Sequence, residues 1–327
     1  MIITSDLHFT ARPEDEYRWG VIEFLKQQAS QTKEDYLYIL GDLTDAKDRH
    51  SSILVNRLVL EILNLRTKFE AIFILKGNHD YIDKELPYFD FLNEFDDVHF
   101  VNELDFLSGP EILLLPHTRT PESWDDRVWE LMNASRFVFL HQTFEGAKAS
   151  NGAIMDGMKP SAFKDIQARI ISGDIHVPQN IGNITYVGSP YHVHFGDSFK
   201  PRILRIEDDK ETDLYFDTIK KMSVKINKLS ELDDFELRKG DQLKITYILP
   251  RTEFNSWAQK KEEVVHYCSE RGYELFGVEI QERKRNRLKN SPQPIETKIA
   301  SPEEVYTAYC AKENLNEVLI NKGRTYL

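Results

Sequence analysis

Apolar and polar positions divide the chain into short buried strands and amphipathic helices. Five apolar runs end abruptly in polar residues, which is typical of strands buried in a parallel or mixed sheet. The runs are residues 2–5, 36–40, 72–75, 137–140 and 170–172. Between the first three runs, residues 16–30 and 51–65 carry apolar side chains at helical spacing. This alternation of strand and helix predicts an α/β fold.

Polar side chains cluster where these five runs end. A single Asp or His after a strand is more often a turn former or a helix cap than a functional residue. Five such ends in succession predict instead a site beyond the carboxyl ends of the strands, where open α/β sheets bind their ligands. The side chains are Asp6, His8, Asp42, Asn78, His79, Asp80, His141, Asp174 and His176.

The donor atoms at these ends favour a metal centre. They are carboxylate oxygen, imidazole nitrogen and amide oxygen, with no thiolate, which suits Mn²⁺, Mg²⁺, Fe or Zn²⁺. Even without His79 and Asp80, the set is larger than one ion needs. Two ions roughly 3.5–4 Å apart, bridged by one carboxylate, form the arrangement used for phosphoester hydrolysis.

The order of these motifs resembles that of the calcineurin-like metallophosphoesterases, and more narrowly the SbcD-type DNA nuclease subunits. The broader resemblance covers about residues 1–200 and includes Asp6-Leu7-His8, Gly41-Asp42, Gly77-Asn78-His79-Asp80, His141 and Gly173-Asp174-Ile175-His176. The narrower one lies in Gly41-Asp42-Leu43 and in Tyr186-Val187-Gly188-Ser189-Pro190 followed by Phe195-Gly196-Asp197. The resemblance implies a four-layer αββα sandwich with a small α+β cap domain and a C-terminal helix.

The resemblance also implies a role for each residue of the site. One metal ion would be held by Asp6, His8, Asp42 and His176, and the other by Asp42, Asn78, His141 and Asp174. Asp42 would bridge two divalent ions, with Mn²⁺ favoured and Mg²⁺ as the alternative. His79 would donate a proton to the leaving oxygen or position it, and Asp80 would hold the His79 ring.

Two positions depart from the pattern of the nucleases that the chain resembles. Asp174 stands where those nucleases usually carry a histidine, so an anionic oxygen replaces a neutral nitrogen and the metal preference is expected to change. Asp45 stands where relatives often carry a histidine three residues after the bridging aspartate. Any role of that histidine in handling a DNA end is therefore not expected here.

Composition is that of an ordinary globular protein, with 41% hydrophobic, 11% aromatic and 29% charged residues among 327, which is enough chain for a second small domain. The two cysteines, Cys268 and Cys310, predict no disulfide framework and fit a reducing cytoplasm, or the host cytoplasm for a phage-encoded protein. The chain begins in a core strand with no apolar leader. No apolar run approaches the roughly 20 residues that would cross a membrane.

Charge is distributed unevenly along the chain. The net charge is −12, yet residues 220–300 hold 17 Lys and Arg against 13 Asp and Glu. We therefore predict a metallophosphoesterase (nuclease) domain at 1–220, an α+β DNA-capping domain at 221–285 and a linker at 286–300. Residues 301–327 begin with Ser301-Pro302-Glu303-Glu304, a helix start, and are predicted to form a helix that docks an SbcC-like ATPase.

Three functions remain open from the sequence. The leading one is a two-metal-dependent DNA exo/endonuclease subunit that works with an SbcC-like ATPase in DNA end processing, recombination, repair or replication, as a homodimer and away from membranes. The second is a phosphomonoesterase or cyclic-nucleotide phosphodiesterase of the same fold. The third is a catalytically weak scaffold that recruits an ATPase. The complete ligand set and His79 argue against the scaffold.

Overall fold

The structure is a computed structural model, and it describes residues 1–283. The α-helices are α1 (Gly20–Thr32), α2 (Ser52–Arg66), α3 (Asp126–Ala134) and α4 (Trp257–Arg271). The strands are β1 (Ile2–Thr4), β2 (Tyr36–Ile39), β3 (Ala71–Leu75), β4 (Val98–Val101), β5 (Asp105–Leu107), β6 (Ile112–Leu115), β7 (Phe137–His141), β8 (Arg169–Gly173), β9 (Gln179–Ile181), β10 (Ile184–Tyr186), β11 (Ile203–Glu207), β12 (Lys210–Leu214), β13 (Lys221–Ile226), β14 (Gln242–Leu249) and β15 (Glu274–Glu282). The linker at 286–300 and the helix at 301–327 lie outside the described residues.

Two six-stranded sheets form the larger part of the described chain. The first has the order β12-β11-β1-β2-β3-β4, and the second has the order β5-β6-β7-β8-β10-β9. In the first sheet, β1 to β4 run parallel. In the second sheet, β6, β7, β8 and β10 run parallel. All five strands predicted from the apolar runs are present. Three of them belong to the first sheet and two to the second.

The two sheets pack face to face. Tyr38, Leu40 and Leu75 of the first sheet share one buried cluster with Leu114 and Phe139 of the second. Helices α1 and α2 cover the outer face of the first sheet. Helix α3 covers the outer face of the second. The four-layer αββα sandwich expected from the sequence is therefore the observed fold, because apolar residues on both faces of each sheet demand cover on both sides.

Strands β11 and β12 correct one expectation. Residues 202–207 and 212–216 alternate in strand fashion, and this pattern predicts two strands that complete the second sheet. Instead, β11 pairs antiparallel with β1, with Ile2 opposite Arg205, and β12 follows at the edge of the first sheet. Without β11, strand β1 would leave an edge with unpaired backbone groups, which proteins avoid.

Helix α2 shows why its sequence folds as predicted. Ser51 caps its N-terminus, because the Ser51 side chain accepts a hydrogen bond from the Leu54 N–H. The buried side chains are Leu54, Leu58, Ile62 and Leu65, which recur every three or four residues. Ile53 and Leu60 lie on the other side and are 71% and 63% exposed.

A third sheet of three parallel strands, β13-β14-β15, starts at Lys221. One face of it packs on α4 through its own buried cluster, which includes Leu243, Ile245 and Val264. Lys244 lies on the opposite face, since successive side chains of a strand alternate. The order strand, strand, helix, strand is that predicted for residues 223–283. No helix within residues 1–283 is long and apolar enough to cross a membrane.

Candidate metal centre

Loops after β1, β2, β3 and β8, together with the last residue of β7, bring all seven predicted ligands into one cluster. Backbone hydrogen bonds align the first two loops: the Asp6 N–H donates to the Gly41 carbonyl (3.1 Å) and the His8 N–H to the Asp42 carbonyl (2.9 Å). Three groups of residues each have ligand atoms within 4.8 Å of one another. They are Asp6, His8 and His176; His8, Asp42 and His79; and Asp6, Asp42 and His141.

Asp42 lies between the two halves of this cluster. Its Oδ2 is 3.5 Å from Nε2 of His8, and its Oδ1 is 3.5 Å from Nε2 of His141. On the first side, Nε2 of His8 is 3.0 Å from Nε2 of His176. The Asp42 carboxylate therefore has one oxygen toward each group of candidate ligands, which is the geometry that a bridging carboxylate requires.

Asp174 joins the second half of the cluster. Its Oδ1 is 3.7 Å from Nε2 of His141 and accepts a hydrogen bond from the Asn78 amide (3.1 Å). Its backbone N–H donates to Oδ1 of Asp6 (3.2 Å). The Asp174 carboxylate thus lies within reach of an ion held by His141 and Asn78.

Several buried acceptor atoms in the cluster lack a protein partner. Among the described residues, Asp6 Oδ2, Asn78 Oδ1 and His141 Nε2 have no hydrogen bond. His141 Nδ1 lies 2.6 Å from the Leu40 carbonyl oxygen. Nδ1 therefore carries the proton and Nε2 is left as a lone pair. Buried acceptors without partners are costly, and a divalent cation would satisfy all three. The residues fit a hard-metal site.

Burial controls the protonation of these groups. It raises the pKa of Asp6 to about 8 and raises that of Asp42 well above its usual value. It lowers the pKa of His8 well below its usual value and that of His176 to about 4, with His194 adding to the second effect. The imidazoles are therefore neutral, as metal ligation requires, and a cation is needed to hold the buried carboxylates ionised at neutral pH.

Four of the candidate ligands adopt left-handed backbone conformations. The φ angles are 54° for Asp6, 43° for His8, 53° for Asp42 and 82° for Asp174. This conformation costs a residue other than glycine about 1–2 kcal/mol. Such residues concentrate at functional sites, where the surrounding structure enforces them. Here the sharp turns direct side chains from the strand ends into the cluster.

Two glycines let the strand ends approach each other. A Cβ at Gly77 would overlap the Asp42 backbone nitrogen and carboxylate. A Cβ at Gly173 would overlap the Leu40 carbonyl oxygen and the Ser5 hydroxyl. No side chain is tolerated at either position without moving a ligand loop, because the backbone atoms that it would meet cannot yield.

His79 lies beside the ligands, as predicted. Its backbone N–H donates to Oδ1 of Asp42 (2.9 Å), and a ring nitrogen comes within 4.8 Å of ligand atoms of both His8 and Asp42. Its Nδ1 is 3.0 Å from the Asp45 carbonyl oxygen. Nδ1 therefore carries a proton, and Nε2 is the atom free to exchange one with a substrate.

The structure corrects the role expected for Asp80. Its carboxylate does not hold the His79 ring. Oδ2 accepts hydrogen bonds from the N–H groups of Gly77 (2.7 Å) and Asp42 (2.9 Å), and Oδ1 accepts one from Leu43 (3.0 Å). Asp80 therefore joins the loop after β3 to the loop after β2 and fixes the backbone that carries Asp42.

Sequence reasoning missed two residues that contact the ligands. Thr143 donates a hydrogen bond from its hydroxyl to Oδ2 of Asp174. Asp45 places Oδ1 3.7 Å from Nδ1 of His8 and Oδ2 2.5 Å from Nη2 of Arg12. The position of Thr143 two residues after His141 was an available signal. Nothing local marked Asp45 as a neighbour of His8.

This fold and cluster define a metal-dependent phosphoesterase. The family model of the calcineurin-like phosphoesterases matches residues 1–178, and the chain belongs to that family. A search of curated proteins finds no match to the chain. The chain is thus a hydrolase of phosphoesters with residues suited to divalent metal ions.

Proposed function

We propose that this protein is a two-metal-dependent DNA exo/endonuclease subunit that hydrolyses phosphodiester bonds. In this proposal it acts with an SbcC-like ATPase in DNA end processing during recombination, repair or replication. The observation that carries the proposal is a cavity lined by aromatic rings and Lys244, which leads from the metal centre to the third sheet.

The cavity has a volume of about 440 Å³, and its walls come from both the phosphoesterase sandwich and the third sheet. They include Arg12, Asp45 and His194 near the ligands, and Phe195, Lys244 and Phe276 further out. Positive charge and exposed aromatic rings are what proteins use to bind a nucleic acid strand through its phosphates and bases.

Aromatic and cationic side chains from the phosphoesterase sandwich and from the third sheet contact each other in this cavity. The Lys244 ammonium lies 4.4 Å from the centre of the Phe195 ring, and the Phe276 ring centre is 5.2 Å from the same ring. Since Lys244 and Phe276 belong to β14 and β15, the third sheet supplies one wall beside the metal centre. This placement supports the DNA-capping role of residues 221–285.

The residues of the site would divide the work of hydrolysis between binding and proton transfer. Two bound divalent ions, Mn²⁺ in this proposal with Mg²⁺ as the alternative, supply an activated water and neutralise charge on the phosphate. Asp42 offers one oxygen to each side, and Asp80 fixes its loop. In its doubly protonated form His79 would give the Nε2 proton to the leaving oxygen and become neutral, while the Nδ1–H stays on the Asp45 carbonyl.

Substrate class is tested with purified protein and Mn²⁺. The substrates are labelled linear duplex DNA, single-stranded DNA, bis(p-nitrophenyl) phosphate and a phosphomonoester. The proposal expects cleavage of DNA and of the small diester. Cleavage of the monoester alone would support a phosphomonoesterase, and cleavage of none would support the scaffold.

The cavity is tested by reversing one charge. Lys244→Glu should lower DNA cleavage at least several-fold and leave hydrolysis of the small diester near normal, since a phosphate contact away from the metals is lost. The matched control is Lys261→Glu, because Lys261 lies on α4, which packs on the other face of the third sheet. Equal loss in both variants would mean that only the overall charge matters.

A homodimer through α2 is the second part of the proposal. Ile53 and Leu60 are exposed and seven residues apart, so they lie on one side of the helix. Two copies of this surface would cover each other around a two-fold axis. Leu60→Glu should therefore convert the protein from dimer to monomer in multi-angle light scattering, whereas Glu61→Lys should not. An unchanged mass for Leu60→Glu would exclude this surface.

Residues 301–327 are proposed to dock the ATPase, on the sequence signals alone. Deleting them should leave Mn²⁺-dependent cleavage of the small diester near normal and abolish both co-purification of an SbcC-like ATPase and ATP-stimulated duplex degradation. Loss of folding or of metal-dependent hydrolysis in the truncated protein would instead assign these residues to the catalytic part.

A further inference from the structure

A second cleft adjoins the metal centre beside different ligands. Two neighbouring cavities, about 450 and 640 Å³ in volume, share four wall residues and therefore form one cleft. The shared residues are His117, Thr118, Arg119 and Trp124. The mechanism described above uses none of these residues.

The cleft lies close to His141 and Asp174, because two of its wall residues contact them. Thr143 lines it and donates its hydroxyl hydrogen bond to Oδ2 of Asp174. The His117 ring centre lies 5.9 Å from that of His141. A group that occupies the cleft is therefore close to a phosphate bound at the metal centre, on the side of His141 and Asp174 and not on the side where Asp45 contacts His8.

Tryptophan rings form the apolar wall. Trp124 and Trp129 are both half-buried and their ring centres are 6.3 Å apart. Trp129 also packs on the buried Phe163, at 5.2 Å between ring centres. Packing against the core holds this wall in place, and each ring keeps part of its surface open toward the cleft.

Positive side chains border the same cleft. The Arg119 guanidinium lies 5.0 Å from the centre of the Tyr81 ring and donates to the Ile82 carbonyl (3.3 Å), so its position is defined. Lys159 lies on the other border, and within residues 1–283 its ammonium group forms no hydrogen bond or ion pair. An aromatic wall between two cations, next to a phosphate site, is the chemistry that binds a nucleotide.

We propose that this cleft binds the base and sugar of the nucleotide next to the scissile phosphate, with the base against Trp124. The proposal rests on the proposed nuclease function and adds a substrate requirement to it. A base stacked and paired inside a duplex cannot enter a side cleft. The nucleotide at this position must therefore be unpaired, which makes single strands and frayed ends the substrates of this site.

The cleavage test compares intact and abasic positions within one strand. A single-stranded oligonucleotide carries one abasic nucleotide, and gel analysis gives the rate at each bond. The wild-type protein should cleave the bond beside the abasic nucleotide roughly tenfold more slowly, as expected for one lost stacking contact. Trp124→Ala should cleave every bond more slowly and lose this discrimination, whereas Trp124→Phe should keep it.

The matched control is Trp257→Ala. Trp257 is 50% exposed at the start of α4, on the far face of the third sheet, and lines neither cleft. This variant should match the wild type in rate and in discrimination. If Trp257→Ala and Trp124→Ala lose activity alike, the effect is not specific to the cleft and the proposal is wrong.

A binding measurement removes catalysis from the test. Fluorescence anisotropy in EDTA compares labelled oligothymidylate with an abasic strand of the same length. The wild type should prefer oligothymidylate, and Trp124→Ala should not. The preference of the wild type for oligothymidylate over the abasic strand does not depend on the folding of any variant. The test therefore remains valid if the Trp124→Ala protein is unstable.

The outcomes separate the two proposals. If the wild type cleaves DNA but treats intact and abasic positions equally, the nucleotide cleft is wrong and the nuclease function stands. If it hydrolyses bis(p-nitrophenyl) phosphate but no DNA, the proposed function is wrong and the cleft proposal falls with it.

Discussion

Backbone carbonyl groups decide what two imidazoles of the site can do. His141 directs Nδ1 to the Leu40 carbonyl at 2.6 Å and is fully buried, so its Nε2 lone pair is kept for a metal ion. His79 directs Nδ1 to the Asp45 carbonyl at 3.0 Å but is only half-buried. In the proposed mechanism, the same contact makes His141 a ligand in the closed part of the site and His79 a proton carrier at its open side.

The separation of ligand and proton carrier predicts the effect of His79→Ala. Hydrolysis of DNA, whose alkoxide leaving group needs a proton, should fall by about 10²–10⁴-fold, the usual contribution of general acid catalysis. Hydrolysis of bis(p-nitrophenyl) phosphate should fall less, because p-nitrophenolate leaves without a proton. Mass spectrometry of the metal content should still find two ions per chain. The control is His266→Ala on the exposed side of α4, which should have no effect. Loss of one ion from the His79 variant would show that His79 is itself a ligand.

Asp174 allows a second prediction about single residues. Asp174→Asn should weaken the second metal site, because it removes a charge that lies 3.7 Å from His141 Nε2. Asp174→His should keep much of the activity and shift the preferred metal, since it replaces a hard oxygen with a nitrogen. Isothermal titration with Mn²⁺ and Zn²⁺ measures both effects. Equal Mn²⁺ affinity in the wild type and Asp174→Asn would mean that Asp174 is not a ligand.

The sequence predicted which residues gather at the site but not how each one is held. The ligands could be predicted because five strand ends must meet at the same edge of the packed sheets. The roles of Asp80 and Asp45 could not, because adjacent residues in a loop point in different directions. Asp80 is next to His79 in sequence, yet its carboxylate binds three backbone N–H groups, and the His79 ring is held from Asp45, 34 residues away.

At the scale of elements, the pattern of apolar residues predicted where the strands lie better than it predicted which strands pair with each other. The pattern of β11 shows that it is a strand, but it does not show whether β1 or the second sheet offers a free edge. That choice depends on the path of the chain after β10. The third sheet was easier to predict, because its strands and helix are close in sequence and form one local cluster.

A buried ion pair links the third sheet to the sandwich beside the metal centre. Lys221 of β13 places Nζ 2.5 Å from Oδ1 of Asp15, which also lies 3.0 Å from Nη2 of Arg18. Arg18 in turn donates a hydrogen bond to the His8 carbonyl and another to that of Val193 (3.1 Å). All three charged side chains are buried. The third sheet is therefore linked through two side chains to the backbone of a metal ligand.

Lys221→Met should lower the free energy of unfolding by about 2–3 kcal/mol, below the usual cost of breaking a buried pair because Arg18 still contacts Asp15. Urea denaturation measures this loss. The matched control is Lys225→Met on the same strand, where the side chain is exposed and the change should stay within about 0.5 kcal/mol. Equal losses in the two variants would mean that the Lys221 pair is not what stabilises the contact.

At the scale of the whole molecule, the metal centre lies between two clefts of different origin. The cleft with Arg12 and Lys244 depends on the third sheet, whereas the cleft with Trp124 is built entirely from the phosphoesterase sandwich. Domain movement would therefore change the first cleft and leave the second intact. A partner that moves the third sheet would control access of the strand without altering the proposed nucleotide cleft.

The acidic metal centre also determines how the whole protein responds to pH when metal is removed. The pKa of Asp6 is raised to about 8 in the folded protein, so the folded state holds a proton that the unfolded state loses above about pH 4. This contribution to stability disappears as the pH rises toward 8. The pKa of His176 is lowered to about 4. The contribution of His176 to folding stability is therefore lost as the pH falls below about 6.5.

Because the two pKa shifts are in opposite directions, there is a pH range in which only the carboxylates change the stability of the metal-free protein. Between about pH 6.5 and 8 the metal-free protein should lose thermal stability, because Asp6 must ionise in a buried site while His176 stays neutral in both states. Mn²⁺ should restore it, with a larger rise in Tm at pH 8 than at pH 6.5, since binding displaces the proton. Circular dichroism melts with EDTA or Mn²⁺ measure both. Asp6→Asn should reduce the pH-dependent fall, with Asp42 responsible for the rest, and should remove most of the response to Mn²⁺. A metal-free wild type whose Tm rises over this pH range would contradict the assignment.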